Sequence, residues 1–340
     1  VTPQPHHRPR TVLAMDPALH TALFDPAALD RLTTLADTDP SLVVGDFTDP
    51  AAAAALSVAE VLLTGWGCPP LTAEALDRMP ALRTVIHAAG SVKHHVTRAC
   101  WERGITVTSA AAANAVPVAE YTVAAVLFSG KRVLHAAHVY REKRSWVDAL
   151  DLLGSGGNHR HTVGVVGASR IGRRVLELLR PYDMRVLLHD PYADRELARG
   201  LGAEAVSLDA LAAQSDTVTI HAPELAETHH LFDRRRLALL RDGATVINTA
   251  RGSLVDTTAL TAELVSGRLN AVLDVTDPDV LPPQSPLYDL PNVLLTPHIA
   301  GSLGNELSRM TNTALDELER YSKGLPYADP VLPHQLTRSA

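Results

Sequence analysis

Short runs of aliphatic and β-branched residues recur along this chain, and most are followed by stretches rich in Ala, Leu and Glu. No other feature limits the available folds as much. Candidate strands at 11–15, 42–45, 61–64, 84–87 and 105–108 alternate with helical stretches such as 70–79. A second series follows a glycine-rich turn at 154–158, with strands at 162–166, 185–189, 217–221, 245–248, 271–275 and 292–296. Strand–helix alternation predicts parallel sheets covered by helices on both faces, an α/β architecture. Two series predict two doubly wound parallel-sheet domains, and 340 residues suit two domains better than one. A long helix at 117–140 is expected to link them, with Pro117 in its first turn and Glu120 close behind. A last helical stretch at 306–321 is expected to return to the first domain. That domain would then be discontinuous, 1–116 with 302–340, and the second would be 117–301. Residues 1–10, rich in Pro and His and without apolar periodicity, read as a frayed arm.

Composition narrows the classes of function. A hydrophobic share of 46% with 20% charged residues is that of a globular chain rather than a disordered one. The net charge of −7 leaves no positive surplus for a phosphate backbone, so no nucleic-acid partner is expected. No apolar run reaches the roughly 18 residues of a membrane span, so no membrane partner is expected either. Two cysteines, Cys68 and Cys100, cannot form a disulfide framework, and no secretory signal is visible; a cytoplasmic setting is the expectation. The ligand should be small.

The segment G-V-V-G-A-S-R-I-G at 164–172 follows a predicted strand and opens a helix at 171–179. A dinucleotide-binding turn of pattern G-x-G-x-x-G belongs there, so that backbone amides and the helix N-terminus face a pyrophosphate. This chain offers Gly167, Ser169 and Gly172, with Arg170 and Ile171 between the last two. Serine at the middle position either pushes a phosphate away or donates a hydrogen bond to it. The next strand ends in Asp190, about 20 residues on, where an acid accepts from ribose hydroxyls and repels a 2′-phosphate. The pair predicts NAD rather than NADP.

Three further stretches place polar groups at predicted strand ends: N-T-A-R-G-S-L-V-D at 248–256, L-D-V-T-D-P-D at 273–279 and T-P-H-I-A-G at 296–301. With these the chain resembles the D-isomer-specific 2-hydroxyacid dehydrogenases from about residue 84 to 307. The first 80 residues match only in the order of elements. The resemblance implies a Rossmann-type NAD-binding domain, a flavodoxin-like substrate domain, and hydride exchange between NAD(H) and a D-2-hydroxy acid or its 2-keto acid. It implies that Arg251 binds the substrate carboxylate and carbonyl, which suits the rigid fork of a guanidinium. It implies His298 as general acid-base and Asp279 as the carboxylate supporting it. Here the chain departs from the family, which has glutamate followed by proline where this chain has Asp279 and Val280.

The same resemblance assigns Asp274 to the nicotinamide carboxamide and His221, Ala222, Pro223, Thr228, Thr249 and Ala250 to the cofactor's surroundings. Gly90, Ser91 and Val92 match the loop that offers amides to the substrate carboxylate. It also implies a homodimer built on the linking helix. A second reading is an NAD(H)-responsive regulatory protein with weak or no catalysis, as in the C-terminal binding proteins that resemble this family. Ser169 and Asp279 keep that reading open. Paired histidines such as His94–His95 and His229–His230 have no acid or thiol at metal-ligand spacing, so no metal is assigned.

Overall fold

The computed structural model describes residues 7–154 and 156–335. The chain divides into two compact units. One runs through Asn114 and resumes at Ser302; the other spans Ala115–Gly301.

The first unit holds a five-stranded parallel sheet: β1 (Thr11–Ala14), β2 (Val43–Val44), β3 (Val61–Thr64), β4 (Thr84–His87) and β5 (Thr106–Ser109), in the order β2-β1-β3-β4-β5. Strand side chains alternate between two cores. Val12, Leu62 and Val85 enter one, while Leu13, Leu63 and Ile86 enter the other. Burial on both faces is why these strands read as unbroken apolar runs. Helix Leu307–Ser322 covers the second face with Leu307, Met310, Ala314, Leu315 and Leu318. Arg31 secures that helix through Asp316 and Glu319 at 2.6 and 3.0 Å.

The second unit holds seven parallel strands: β6 (Thr162–Val166), β7 (Arg185–His189), β8 (Glu204–Ala205), β9 (Thr217–Ile220), β10 (Thr245–Asn248), β11 (Asn270–Leu273) and β12 (Val293–Leu295). Their order is β12-β11-β10-β9-β6-β7-β8, so the chain reverses direction across the sheet between β6 and β9. Such a switch point opens a crevice at the strands' carboxyl ends.

Three expectations change. Helix Ala111–Gly130 begins before Pro117, which sits in its interior rather than in its first turn. The helical pattern does not run on unbroken to 140: Arg132 adopts a left-handed φ of +50°, and a separate helix spans Val133–Lys143. A Cβ on Gly130 would lie 2.0 Å from Asn158 Oδ1, so a larger residue at this helix end would have to displace the Asn158 side chain. This 20-residue helix also has the length and apolarity of a membrane span, with mean hydropathy 1.4, which the run-length criterion missed because Glu120 interrupts it. Half of that stretch is buried; Ala119, Val123 and Val126 pack in one core with Val163 and Val165 of β6.

The third change concerns the arm. Residues 1–6 lie outside the described residues, but the segment leading into β1 is tied down. Arg8 donates to Ala36 O at 2.8 Å, and Arg10 O accepts from the amides of Glu60 and Val61.

At the carboxyl ends of β3 and β4, Thr64 Oγ1 shares hydrogen bonds with His87 Nδ1 (2.9 Å) and His95 Nε2 (3.4 Å). The two rings lie 4.4 Å apart. Burial, and then the neighbouring His95, push His87 well below the usual histidine range; burial and then His94 bring His95 to about 4. Unfolding restores ordinary proton affinity, so between pH 6.5 and 4 the unfolded chain binds protons the folded unit refuses. Stability is therefore full above the unfolded pKa and falls with acidification by up to about 1.4 kcal/mol per pH unit for each histidine. Thermal melting at pH 7 and pH 5 should show a lower Tm at pH 5, and His95→Gln should flatten that dependence.

Candidate active site

The turn after β6 is built on two glycines that nothing else could replace. Gly167 has φ +96°, and a Cβ there would come within 2.9 Å of the His221–Ala222 backbone across the switch point. A Cβ on Gly172 would lie 2.0 Å from Gly167 O. Ser169 is the N-cap of the helix that follows. With φ −63° its Oγ accepts from Gly172 N at 3.3 Å and caps helix Arg170–Leu179. The turn therefore keeps its shape without a middle glycine. Arg170 and Ile171 occupy the first turn of that helix, where its positive end lies.

Asp190 follows β7, and its carboxylate accepts from Ala168 N (2.6 Å) and Tyr192 N (2.7 Å). It thereby joins the two βα turns and keeps acceptor capacity, since a carboxylate has about four lone-pair sites. This cradle of bare glycines, a helix N-terminus and an acid fits a dinucleotide.

Across the switch point, His221 N donates to Val166 O at 2.7 Å. Its ring is buried, Nε2 pairs with Thr219 Oγ1 at 2.9 Å, and burial lowers its pKa to about 3, so the imidazole is neutral. Its Nδ1 is buried without a hydrogen-bond partner among the described residues. Beyond Ala222 and Pro223, Thr228 Oγ1 donates to Pro223 O at 2.6 Å and accepts from Leu225 N at 2.9 Å, closing that loop on itself.

The polar stretches recognised in the sequence follow β10, β11 and β12, three neighbouring strands. After β10, Asn248 braces the turn: its Oδ1 accepts from Ala250 N (3.1 Å) and its Nδ2 donates to Arg251 O (2.8 Å). Thr249 Oγ1 pairs with Thr122 Oγ1 at 3.1 Å. Arg251 is half-buried, and Nη1 donates to Ala250 O at 2.6 Å. Gly252 lies so close to the loop after β11 that a Cβ would fall 2.0 Å from the Thr276 carbonyl.

After β11, Asp274 is 2% exposed and acts as a clamp. Its Oδ1 accepts from Thr296 Oγ1 (2.6 Å) and Ile299 N (2.8 Å), and its Oδ2 from Ala300 N (2.9 Å). Its backbone oxygen takes the His298 amide at 2.9 Å. These bonds enclose His298, which has a left-handed φ of +55° and an exposed side chain. Three of the carboxylate's four acceptor sites are occupied, leaving one for a further donor. Tyr121 OH extends the network to Thr296 Oγ1 at 2.9 Å.

Asp279 is exposed, and among the described residues no hydrogen bond or ion pair joins it to His298. In the other unit, Gly90 and Ser91 are half-buried. The Val92 side chain enters the core, so only its backbone can face a ligand. Asn248, Gly252 and Thr296 lie in the recognised runs but were given no role of their own, and Tyr121 lies outside them. All four act as braces.

Residues 124–300 match the family model described as the NAD binding domain of the D-isomer specific 2-hydroxyacid dehydrogenases. The chain belongs to this family. Among its dehydrogenase relatives, a glyoxylate reductase of Aeropyrum pernix is 33% identical over 262 residues, covering 74% of this chain and 76% of that protein. A D-3-phosphoglycerate dehydrogenase of Archaeoglobus fulgidus is 31% identical over 263 residues, or 76% of this chain; the match spans 49% of that longer protein. A solved structure from Thermus thermophilus superposes with a TM-score of 0.74 at 32% identity, covering 95% of this chain and 99% of that one. The cofactor is NAD, in keeping with the matched NAD binding domain.

The clamp makes a direct prediction. Asp274→Asn would turn an amide N–H₂ towards donors that now find acceptors, costing about 2–3 kcal/mol. A lower Tm and faster hydrogen exchange at the Ile299 and Ala300 amides should result.

Proposed function

We propose that the chain exchanges hydride between NAD(H) and a D-2-hydroxy acid/2-keto acid pair. The observation that carries this reading is the placement of Arg251, the Asp274–Asp279 segment and His298 after three adjacent parallel strands. Bound nicotinamide would accept or supply the hydride at the substrate's C2. Arg251 would grip the substrate carboxylate and draw charge from the carbonyl oxygen. His298 would give a proton to that oxygen in reduction and take it back in oxidation. Its left-handed backbone, pinned on both sides by Asp274, would hold the imidazole at one angle to the substrate.

Asp279 would orient the imidazole. The aspartate is one methylene shorter than the family's glutamate, so this support requires the loop after β11 to bring the two side chains together. Gly90, Ser91 and the Val92 backbone would offer amides to the substrate carboxylate. The remaining acceptor site of Asp274 would take the nicotinamide carboxamide, while Asp190 would take the ribose hydroxyls.

NADH oxidation with glyoxylate, hydroxypyruvate, pyruvate and bulkier 2-keto acids tests this. Turnover with at least one is expected. NADH binding without turnover on any of them would overturn the dehydrogenase reading in favour of a regulatory role. His298→Asn should lower kcat by about 10²–10⁴-fold while NADH affinity is retained. Asp279→Glu should maintain or improve reduction at neutral pH; a collapse of activity would mean that the loop is shaped for the shorter side chain.

We also propose that the chain forms a homodimer through helix Ala111–Gly130. Phe128 on this helix is 58% exposed beside a groove of about 390 Å³ that Tyr121, Val133, Leu134 and Leu294 help to line. A large apolar side chain next to an apolar groove suits self-association. Sedimentation velocity should give a dimer, and Phe128→Asp should give a monomer.

A further inference from the structure

We propose that His229, His230 and Asp277 form a binding site for a divalent transition-metal ion of zinc-like character. The sequence assigned no metal because the histidine pair lacked an acid partner. The fold supplies one: one ligand atom from each of the three residues lies within 4.8 Å of the other two. The imidazole rings are 3.9 Å apart at an interplanar angle of 54°, so they converge rather than stack.

Three loops of the second unit create this proximity. His229 and His230 follow the loop after β9. The His230 amide donates to Ser253 O at 2.8 Å, which ties it to the loop after β10. That loop in turn presses Gly252 against the Thr276–Asp277 peptide, where a Cβ would meet Asp277 N at 2.5 Å. His230 also has a left-handed φ of +51°. Glycine would be the unstrained choice there, so the backbone bears a strained conformation at a position that carries a metal-ligating side chain.

The donor set selects the ion class. Two imidazoles and one carboxylate suit zinc, cobalt or nickel; calcium and magnesium need more oxygen donors than this site has. Bonds of about 2.1 Å in a tetrahedron put donor atoms about 3.4 Å apart. Rotation of the exposed His229 and Asp277 side chains would close that difference while the His230 backbone stays fixed. Water would fill the remaining position. The bound ion would cross-link the segment after Thr228 to the loop that leads to Asp279. It would take no part in hydride transfer, so the inference stands apart from the dehydrogenase reading.

The full chain, stripped with a chelator, is titrated with zinc chloride by calorimetry and with cobalt chloride by visible absorption. We expect one ion per chain, a micromolar Kd, cobalt d–d bands and a raised Tm. Asp277→Asn and His229→Gln should each weaken binding by about tenfold or more, while His298→Asn leaves it unchanged. The metal-free melting curve of each variant checks that it is folded. Undiminished binding in both site variants, loss of binding in His298→Asn, or no saturable binding by the wild-type chain below millimolar zinc would overturn the proposal.

Discussion

The buried carboxylate of Asp274 is the interaction on which the reactive edge of the second unit depends. Removing a charge from water is costly unless hydrogen bonds replace hydration, and three short bonds from the 296–300 segment do so here. The exchange is mutual. The carboxylate gains solvation, and the segment gains a fixed shape in which a histidine can be held in a conformation its Cβ disfavours. Without the clamp, the segment after β12 would be an ordinary surface loop. The sheet supplies the starting geometry, because parallel strands bring the loops after β10, β11 and β12 side by side.

Much of the sheet was legible in the sequence because its strands are buried on both faces. The runs at 61–64, 84–87, 162–166, 185–189 and 245–248 are observed with both ends as read. Such strands are continuous apolar stretches bounded by turn residues, which is a strong local signal. β8 went unread because two residues, Glu204 and Ala205, at a sheet edge carry no such pattern. The start of helix Ala111–Gly130 was misplaced for a related reason. Its first turn is made of small residues, whereas Pro117, a common helix starter, lies further along.

The candidate site divides in the same way. Arg251 and His298 could be picked out because residue type and spacing report chemistry. Asn248, Gly252 and Thr296 stood in the same runs, but their bracing roles could not be read there, since their work depends on what the fold sets against them. Asp277 makes the point most sharply. It is distant from His229 and His230 in sequence, and only the stacking of three βα loops makes it their neighbour.

Ser169 shows how the same backbone tolerates different alphabets. Gly167 and Gly172 are locked by a left-handed φ and by contact with a carbonyl, but position 169 has a conformation open to any L-residue. A search template demanding three glycines therefore asks for more than the turn does. Chains with a helix-capping side chain at the middle position would be passed over by such a template while retaining the same phosphate-facing geometry, and variation there is a neutral route along which family members can drift apart.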